Sequence, residues 1–372
     1  MTSSWIWQHP DWPHFHWQDA PLLPRLRHIQ QQRGVLLGYA SLNPDNGVQT
    51  LDTLLGNILS SSAIEEERVN VQSVRSSLAR RLGLSEEQPF PVSDRSEGLA
   101  AMMLDAINNR DQLLTFERLC QWHHWLFPAD EWSVRSLSVG TLRGSEPMQV
   151  VSGRIDRPTV HFEAPPRAGL ETHLQQFIDW FNRSQSDALL DPLLRAAICH
   201  LWFVTLHPFD DGNGRITRAL TDLALSQAES QSIRLYAMSV SILAKRADYY
   251  RVLEQTQKGD ADITGWLCWF LDTLNESLEQ AITSAERVQI KARFWMRHRG
   301  TGLSKEQVKI LNRLLDGGEQ GFESGISASQ YQKVAKVSKA TATRHLADLL
   351  EKACICKLKG GGRSTRYQIN LC

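Results

Sequence analysis

The sequence predicts a mainly α-helical protein that also contains one β-hairpin and, near its C-terminus, a helix-turn-helix followed by two strands. Three observations support this fold class. Apolar residues recur at helical spacing over most of the 372 residues. Two short runs of alternating character, joined by polar turn residues, occur in the middle of the chain. Two helical patterns separated by Val337-Ser338 precede two strand-like runs at the end.

The composition is that of an ordinary soluble protein and narrows the function classes. The 41 Lys and Arg residues balance 41 Asp and Glu, so the molecule as a whole is not an electrostatic binder. The six cysteines show no CxxC spacing, which indicates reduced thiols rather than a metal site. The sequence lacks a secretion signal and any uncharged apolar run of about 18 residues. We therefore expect a cytoplasmic protein with no membrane contact.

The chain divides into three regions: an N-terminal helical region (1–113), a candidate catalytic domain (114–285) and a C-terminal domain (300–372). The first region opens with aromatic residues interleaved with histidines: Trp5, Trp7, Trp12, Phe15 and Trp17 with His9, His14 and His16. These histidines fit no metal-ligand spacing, so an aromatic strap laid over a helical core is the favoured interpretation. Helical patterns follow at roughly 21–40, 48–62, 70–83 and 95–110.

The most informative stretch of the sequence is the twelve-residue run from His207 to Arg218. The apolar segment 193–206 before it predicts a buried helix, and the segment 216–227 after it has helical periodicity. The run is therefore predicted to be a turn between two helices, with its glycines at the N-terminus of the second. Unpaired N–H groups and the helix dipole make such a place attractive to phosphate. The alternative is a polar turn with surface arginines.

Four residues of this run suit a polyphosphate. Gly212 and Gly214 permit backbone angles and an anion approach that a Cβ would block. Arg215 and Arg218 are three apart, so on the first turn of a helix they share a face and can hold one polyphosphate together.

Three further residues add reactive or metal-binding chemistry. His207 can act as a general base near neutral pH. Asp211 supplies a carboxylate of the kind that Mg²⁺ uses together with substrate phosphates. Asn213 can orient a phosphate oxygen through its amide.

The run matches, position by position, the H-x-F-x-[DE]-G-N-G-R-x-x-R signature of the Fic family, which the chain therefore resembles. Fic proteins mostly transfer AMP from ATP to a Tyr, Thr or Ser hydroxyl of a protein target. The resemblance implies that His207 deprotonates that hydroxyl and that Asp211 holds Mg²⁺ (or Mn²⁺) at the α- and β-phosphates. It implies that the backbone of residues 212–214 forms an anion hole, that Arg215 binds on the β-phosphate side and that Arg218 binds the γ-phosphate. The implied ATP-binding residues of the run are Gly212, Asn213, Gly214, Arg215, Ile216, Thr217 and Arg218.

A second string, residues 60–67, resembles the inhibitory helix motif [ST]-x-x-x-E-[GN] that many Fic proteins carry. Ser61 and Glu65 match, whereas Glu66 replaces the usual Gly or Asn. The resemblance implies that Glu65 pairs with Arg218 and blocks the productive γ-phosphate pose. Glu66 in place of a small residue is expected to add repulsion toward ATP. A register that uses Ser62 and Glu66 and a solvated acidic helix end are the alternatives.

The predicted hairpin and a later helix complete the resemblance. Residues 147–163 correspond to the Fic flap, on which a target segment docks by strand addition; an ordinary surface hairpin is the alternative. In the family a tyrosine lines the adenosine pocket. That role falls on Tyr250 and less clearly on Tyr249, with core packing as the alternative for both.

The C-terminal domain resembles a winged helix. Residues 326–372 contain nine Lys and Arg against two Asp and Glu, and Ser338 is placed to cap the second helix of the helix-turn-helix. The domain is predicted to contact DNA or, alternatively, another protein. The sequence does not decide between a monomer and a homodimer.

The combined prediction is a helical Fic core with a β-hairpin flap and a C-terminal winged helix. Its predicted function is an ATP-dependent protein adenylyltransferase that is autoinhibited by Glu65. One alternative is a DNA-binding regulator that senses nucleotide; the other is removal of AMP, or transfer of another phosphate-containing group, on the same fold. The Gly-Asn-Gly triplet argues against the kinase-like Fic branch, which typically has Ala-Asn-Lys there.

Overall fold

The computed structural model describes residues 5–42, 47–128, 137–154, 157–228, 235–317, 322, 324–358 and 365–371. The chain forms two compact units, Met1–Ala281 and Ile282–Cys372. The boundary between them falls within one long helix. The structure is mostly helical with a small β-hairpin, which confirms these two parts of the predicted fold class.

The first unit is built from helices and one hairpin. A 3₁₀ turn, Ile6–Gln8, precedes α1 (Leu22–Ser41), α2 (Gly47–Ile64), α3 (Val71–Arg81), α4 (Asp94–Asn108) and α5 (Phe116–Leu126). Strands β1 (Gln149–Arg154) and β2 (Arg157–Glu163) follow. The chain continues through α6 (Leu170–Ser184), α7 (Pro192–Leu206), α8 (Asn213–Ala228), α9 (Met238–Ala244), α10 (Arg246–Gln257) and α11 (Thr264–Arg297). Helices α1 to α4 confirm the four helices predicted in the N-terminal region.

Helices α7 and α8 form the centre of this unit. The Asp191 side chain accepts a hydrogen bond from Leu193 N (2.8 Å) and caps α7, and Pro192 stands at its first position, where the absent N–H costs nothing. Residues 193–206 are all buried, as predicted. At the C-terminus of α7, His207 takes a left-handed conformation (φ 49°). This turn carries the chain into α8.

Helix α2 is fixed to α8 and α9 through one buried amide. Asn57 Nδ2 donates to Asp222 Oδ2 on α8 (2.7 Å), and Asn57 Oδ1 accepts from Ser239 N on α9 (3.0 Å). Asn57 and Asp222 are each 2% exposed. Because a buried polar group needs its partner, this bond sets where the C-terminal end of α2 lies against α8.

The N-terminal aromatic residues form the predicted strap. The rings of Trp12 and Phe15 pack edge-on against Trp202 of α7, with centroids 6.1 and 6.0 Å apart. Trp5 packs edge-on against Phe162 of β2 (5.4 Å). The part of the chain that the structure describes contains no cluster of three or more residues able to hold a metal ion.

The second unit contains α12 (Lys305–Asp316), β3 (Ile326–Ser327), α13 (Ala328–Ala335), α14 (Lys339–Glu351), β4 (Ile355–Lys357) and β5 (Arg366–Ile369). Its three strands are antiparallel and lie in the order β3-β5-β4. Ser338 Oγ accepts from Thr341 N (3.1 Å), so it is the predicted cap of α14. The glycine-rich stretch 360–363, which we expect to form the wing, lies outside the described residues.

Cysteine state and membrane insertion were also predicted from composition. The five cysteines in the described residues are all free thiols: Cys120, Cys199, Cys268, Cys354 and Cys356. None of the helices in the described part of the chain has the length and apolar character that crossing a bilayer requires.

Candidate functional site

A cavity of about 890 Å³ in the first unit brings most of the predicted site residues together. One wall is the turn from His207 to Gly214, and another is the C-terminal end of α2 with Glu65 and Glu66. The hairpin β1–β2 and α10, from Arg246 to Gln257, complete most of the lining. Four elements that are far apart in sequence therefore meet around one space large enough for a small-molecule ligand.

His207 lies at the edge of this cavity with its orientation and protonation state defined. Its Nδ1–H donates to Val204 O (3.1 Å), which leaves Nε2 as the nitrogen that can accept a proton. Buried Arg143 donates from Nε to the His207 carbonyl (2.8 Å) and holds the backbone in place. Burial lowers the pKa of the imidazole below its ordinary value, against the opposing hydrogen bond to Val204. A neutral imidazole at pH 7 can act as a base.

The loop between α7 and α8 is closed by its own side chains. Asn213 Oδ1 accepts from Phe209 N (2.9 Å), and Asn213 Nδ2 donates to Phe209 O (2.7 Å). His123 stacks on Phe209 (4.4 Å) and donates from Nε2 to Asp211 O (3.1 Å). Both atoms of the Asn213 amide therefore shape the loop, in addition to the phosphate contact that the sequence predicts for this residue. Gly212 has φ +80°, a conformation that favours glycine.

The first turn of α8 presents some of its predicted residues to the cavity and buries others. Ile216 and Thr217 are both 0% exposed, and Thr217 Oγ1 donates to Asn213 O (2.7 Å). Only the backbone of these two residues can therefore serve a nucleotide. Gly214 lines the cavity, on the first turn of a helix, where amides have no intrahelical acceptor.

Arg218 is held by the inhibitory string of α2. Its Nη2 donates to Glu65 Oε1 (2.7 Å) and to Ser61 O (2.8 Å), and its Nε donates to Ser61 Oγ (2.8 Å). Burial alone would raise the pKa of Glu65, but the charge of Arg218 and its hydrogen bond bring that pKa below the ordinary value. The contact between Glu65 and Arg218 selects the Ser61/Glu65 register over Ser62/Glu66.

Glu66 occupies the position where the inhibitory motif usually has Gly or Asn, and its backbone explains that preference. Its φ is +60°, the left-handed conformation that glycine and asparagine adopt most easily. The Glu66 side chain is 75% exposed and accepts from Arg246 Nη1 (2.9 Å). Its carboxylate is thus paired with Arg246 of α10, whereas we expected it to act as a free charge against ATP.

Arg215 is held by a residue that the sequence motifs do not mark. Its Nη1 donates to Glu67 Oε2, and the other oxygen of that carboxylate contacts Arg95 Nη2 of α4. Arg215 also lies 3.5 Å from Asp211 Oδ1 and stacks over the Phe127 ring (5.0 Å). Its side chain is 4% exposed. Burial lowers the pKa of Arg215, which remains a cation in every accessible pH range.

The two predicted adenosine-site tyrosines differ in position. Tyr249 is 1% exposed and its hydroxyl pairs with His200 Nε2 (2.9 Å), so its ring belongs to the core. Tyr250 is half-buried, lines the cavity and donates from its hydroxyl to Ile64 O (3.2 Å). The Arg246 guanidinium lies over its ring (5.3 Å). Both tyrosines border the cavity, and Tyr250 is the more exposed of the two.

Strands β1 and β2 pair antiparallel, with Gln149 opposite Glu163 and an irregularity between Val150 and Val151. His161 Nδ1 bonds Glu254 Oε2 of α10 (2.9 Å). The hairpin is therefore fixed to α10 by the polar contact of His161.

The residues around Asp211 fit a magnesium ion that is bound jointly with phosphates. The Asp211 carboxylate is 44% exposed, and Asp211 lines the cavity. Among the described residues there is no group of three or more His, Cys, Asp or Glu that would form an all-protein metal cage. One accessible carboxylate beside a phosphate site is the donor set that Mg²⁺ uses with nucleotides.

Comparison with known families gives two matches. Residues 113–225 match the Fic/DOC family, and residues 5–84 match a domain of unknown function, DUF4172. The curated protein adenylyltransferase fic-1 of Caenorhabditis elegans is 37% identical over 87 residues, which are 23% of this chain and 16% of that protein. Protein adenylyltransferase Fic of Drosophila virilis is 28% identical over 186 residues, 49% of this chain and 36% of that protein. The match thus spans well under half the length of these relatives.

Solved structures with the same fold include a Fic family protein from Desulfovibrio desulfuricans G20. It has a TM-score of 0.53 and 20% identity, with 95% of this chain and 97% of that chain covered. Fic-1 from Caenorhabditis elegans has a TM-score of 0.50 and 20% identity, with 73% of this chain and 76% of that chain covered. At these identities the likeness establishes the fold.

Proposed function

We propose that this chain, whose residues 113–225 match the Fic/DOC family, is a protein adenylyltransferase, which transfers AMP from ATP to a Tyr, Thr or Ser hydroxyl of a protein target. The observation that carries the proposal is the position of His207. His207 lines the same cavity as Gly214 on the first turn of α8, and its Nε2 is the nitrogen left to accept a proton because Nδ1 is bonded to Val204 O. A base next to a phosphate-binding helix N-terminus is the arrangement that nucleotidyl transfer requires.

In the proposed reaction the target hydroxyl oxygen attacks the α-phosphorus of ATP while its proton passes to His207 Nε2. The new O–P bond forms as the bond to the pyrophosphate oxygen breaks, and pyrophosphate leaves. Backbone amides at the start of α8 stabilise charge on the α-phosphate, and Arg215 and Arg218 stabilise charge on the departing phosphates. Positioning and charge neutralisation supply most of the rate enhancement in such transfers.

Asp211 would hold Mg²⁺ (or Mn²⁺) together with the phosphates, and the ion would neutralise phosphate charge. Tyr250 would form a wall of the adenosine pocket. The hairpin β1–β2, held on α10 by His161, would present a strand edge to the target segment.

We also propose that the protein is autoinhibited in the conformation described here. Arg218 is only 3% exposed, and Glu65 with Ser61 occupies its Nε and Nη2 donors. The γ-phosphate needs the same cation, so Glu65 and a correctly placed ATP exclude one another.

The test is transfer of label from radioactive ATP to protein in the presence of Mg²⁺. Purified protein is incubated separately with ATP labelled on the α-phosphate and on the γ-phosphate, as wild type, Glu65→Gly and His207→Ala. The α-label should enter protein, most strongly in Glu65→Gly and not in His207→Ala. Transfer of the γ-label would replace the proposal with a kinase, and the absence of transfer in Glu65→Gly would refute it.

The second unit supports a further candidate function, contact with DNA. The helix order α12-α13-α14 and the strand order β3-β5-β4 are those of a winged helix, which we infer for this unit. Lys339, Thr343 and Arg344 lie exposed on α14, the second helix of the helix-turn-helix. Fluorescence anisotropy with a labelled mixed-sequence duplex tests the candidate.

DNA affinity should fall steeply with salt and disappear in Lys339→Glu/Arg344→Glu. An unchanged affinity in that variant would exclude α14 as the DNA contact. Light scattering on the same samples would then test the alternative, a homodimer contact.

A further inference from the structure

Three consecutive glutamates follow α2, and each of them pairs with a different arginine. The pairs are Glu65 with Arg218, Glu66 with Arg246, and Glu67 with Arg215. The inhibitory motif accounts for the first pair alone. The third pair needs its own explanation, because it engages the other arginine of the signature.

The Glu67 carboxylate lies between two guanidinium groups. Its Oε2 pairs with Arg215, and its Oε1 pairs with Arg95. The side chains of Glu67 and Arg215 are 13% and 4% exposed, so their ion pair is largely shielded from water, whereas the pair with Arg95 is open to solvent on the arginine side. A carboxylate with a cation on each oxygen marks a position where the local charge favours an anion.

Arg95 is placed for this position by the start of α4. Ser93 caps the helix, with its side chain accepting from Ser96 N, and Arg95 is the second helical residue. The Arg95 side chain is 48% exposed, so it is not part of the core. Its pairing with Glu67 brings it next to Arg215, which the sequence motif assigns to phosphate.

The anion position adjoins the predicted phosphate site. Arg215 reaches Glu67 with Nη1 and comes within 3.5 Å of Asp211 Oδ1 with Nη2. The Arg215 guanidinium therefore lies between two carboxylates, that of Asp211, which would hold the metal, and that of Glu67. A phosphate that displaced Glu67 would lie beside the phosphate that shares the metal with Asp211.

We propose that Arg95 and Arg215 form a subsite for the phosphates beyond the α-phosphate of the nucleotide, and that Glu67 closes this subsite in the present conformation. This inference rests on the proposed function, since it takes ATP as the ligand of the cavity. It adds Arg95 to the nucleotide-binding residues and a second competing carboxylate to Glu65. Both signature arginines are released only when both glutamates leave.

The test measures nucleotide affinity by isothermal titration calorimetry with the full chain, in a His207→Ala background that prevents turnover. The ligands are ATP, ADP and AMP, each with Mg²⁺. The variants are Glu67→Ala, Glu67→Gln, Glu67→Ala/Arg95→Ala and Glu65→Gly. Arg75→Ala serves as a matched control, because Arg75 makes an exposed ion pair with Asp52 (2.7 Å) that involves neither Glu67 nor a signature arginine.

Glu67→Ala should tighten ATP and ADP binding about tenfold, because the charge-assisted hydrogen bond between Glu67 and Arg215 no longer competes with phosphate. AMP binding should change less than twofold. Adding Arg95→Ala should reverse most of the gain for ATP and ADP and leave AMP unchanged, whereas adding Arg75→Ala should do nothing. Glu67→Gln keeps the shape of the side chain and should shift affinities in the same direction, so a poorly folded Glu67→Ala would not remove the test.

Two outcomes overturn the inference and differ in meaning. If ATP binds to Glu65→Gly but Arg95→Ala leaves the affinity of the Glu67→Ala protein unchanged, the subsite is refuted and the proposed function stands. If no variant binds ATP, the proposed function fails and the subsite with it. Equal tightening for AMP and ATP in Glu67→Ala would also refute the subsite, since it would indicate general opening of the cavity.

Discussion

Adding one methyl group at Gly214 should destabilise the protein only while Glu65 is present. A Cβ built on Gly214 would lie 2.9 Å from Glu65 Cδ and closer still to Oε1. It would also lie 3.2 Å from Arg218 Nη1. No real Cβ tolerates such a contact with a carboxylate, so Gly214→Ala must expel Glu65 from Arg218.

The size of the effect follows from the bond that is lost. A hydrogen bond to a charged group contributes about 1.5–3 kcal/mol, and alanine in place of glycine stabilises a helix by about 0.5–1 kcal/mol. Gly214→Ala should therefore lower the free energy of unfolding by about 1–2 kcal/mol in the wild type. In a Glu65→Ala background the ion pair is already absent, so the same change should raise that free energy by about 0.5 kcal/mol. The coupling between the two substitutions is about 2 kcal/mol.

The assay is a urea titration of the four proteins of this double-mutant cycle, followed by tryptophan fluorescence. Of the twelve tryptophans, Trp295 alone follows residue 281, so the signal reports the unit that contains the site. Gly265→Ala is the matched control: Gly265 is also the second residue of a helix, and a Cβ there meets nothing within 4 Å. Additivity of Gly214→Ala and Glu65→Ala within about 0.5 kcal/mol would refute the proposed contact between Gly214 and the Glu65 carboxylate.

Three further predictions use the same assays. Burial lowers the pKa of His207, and the base must be neutral to act. Label transfer by Glu65→Gly, measured as initial rates between pH 5 and 8, should therefore be lost on acidification with a midpoint below the ordinary 6.5. A midpoint above 6.5 would contradict this. Glu66→Gly removes the cost of a left-handed non-glycine residue, about 1 kcal/mol, and loses an exposed ion pair with Arg246 that contributes about 0–1 kcal/mol. Urea titration should therefore show an equal or higher free energy of unfolding. A clear decrease would contradict this. Asn57→Ala removes the amide that donates to buried Asp222 and should lower the free energy of unfolding by about 2–4 kcal/mol. A change below about 0.5 kcal/mol would mean that this bond does not hold α2 on α8.

The sequence was most informative where the site is local. The run from His207 to Arg218 is contiguous, so spacing alone placed its base, its glycines and its arginines on the turn between two helices and on the start of the second helix. The role of Asn213 in the loop could not be predicted, because its amide bonds Phe209, four residues earlier, and a loop that closes on itself leaves no sign in residue types. Tyr249 carried a signal that helical periodicity could have used, because it stands four residues before buried Leu253 on α10.

Contacts between distant segments could not be predicted from one sequence. Glu67 and Arg215 are 148 positions apart, and Arg143 reaches the His207 carbonyl across 64 positions. In a sequence, Glu67 and Arg143 have the ordinary character of solvated surface side chains. Only the fold shows that α2, α4 and the segment after α5 converge on α8.

The turn after α2 explains why one short segment engages both signature arginines. Glu65 N and Glu67 N both donate to Ser62 O (3.1 and 3.0 Å), so the backbone from 62 to 67 is one tight loop around a single carbonyl. The left-handed residue between them, Glu66, reverses the chain, and Glu65 and Glu67 consequently reach Arg218 and Arg215 of the same helix. The two contacts depend on one turn, so a partner or a nucleotide that distorts this turn would weaken both. Both contacts therefore depend on the backbone conformation of Glu66, the residue at the position where the inhibitory motif usually has Gly or Asn.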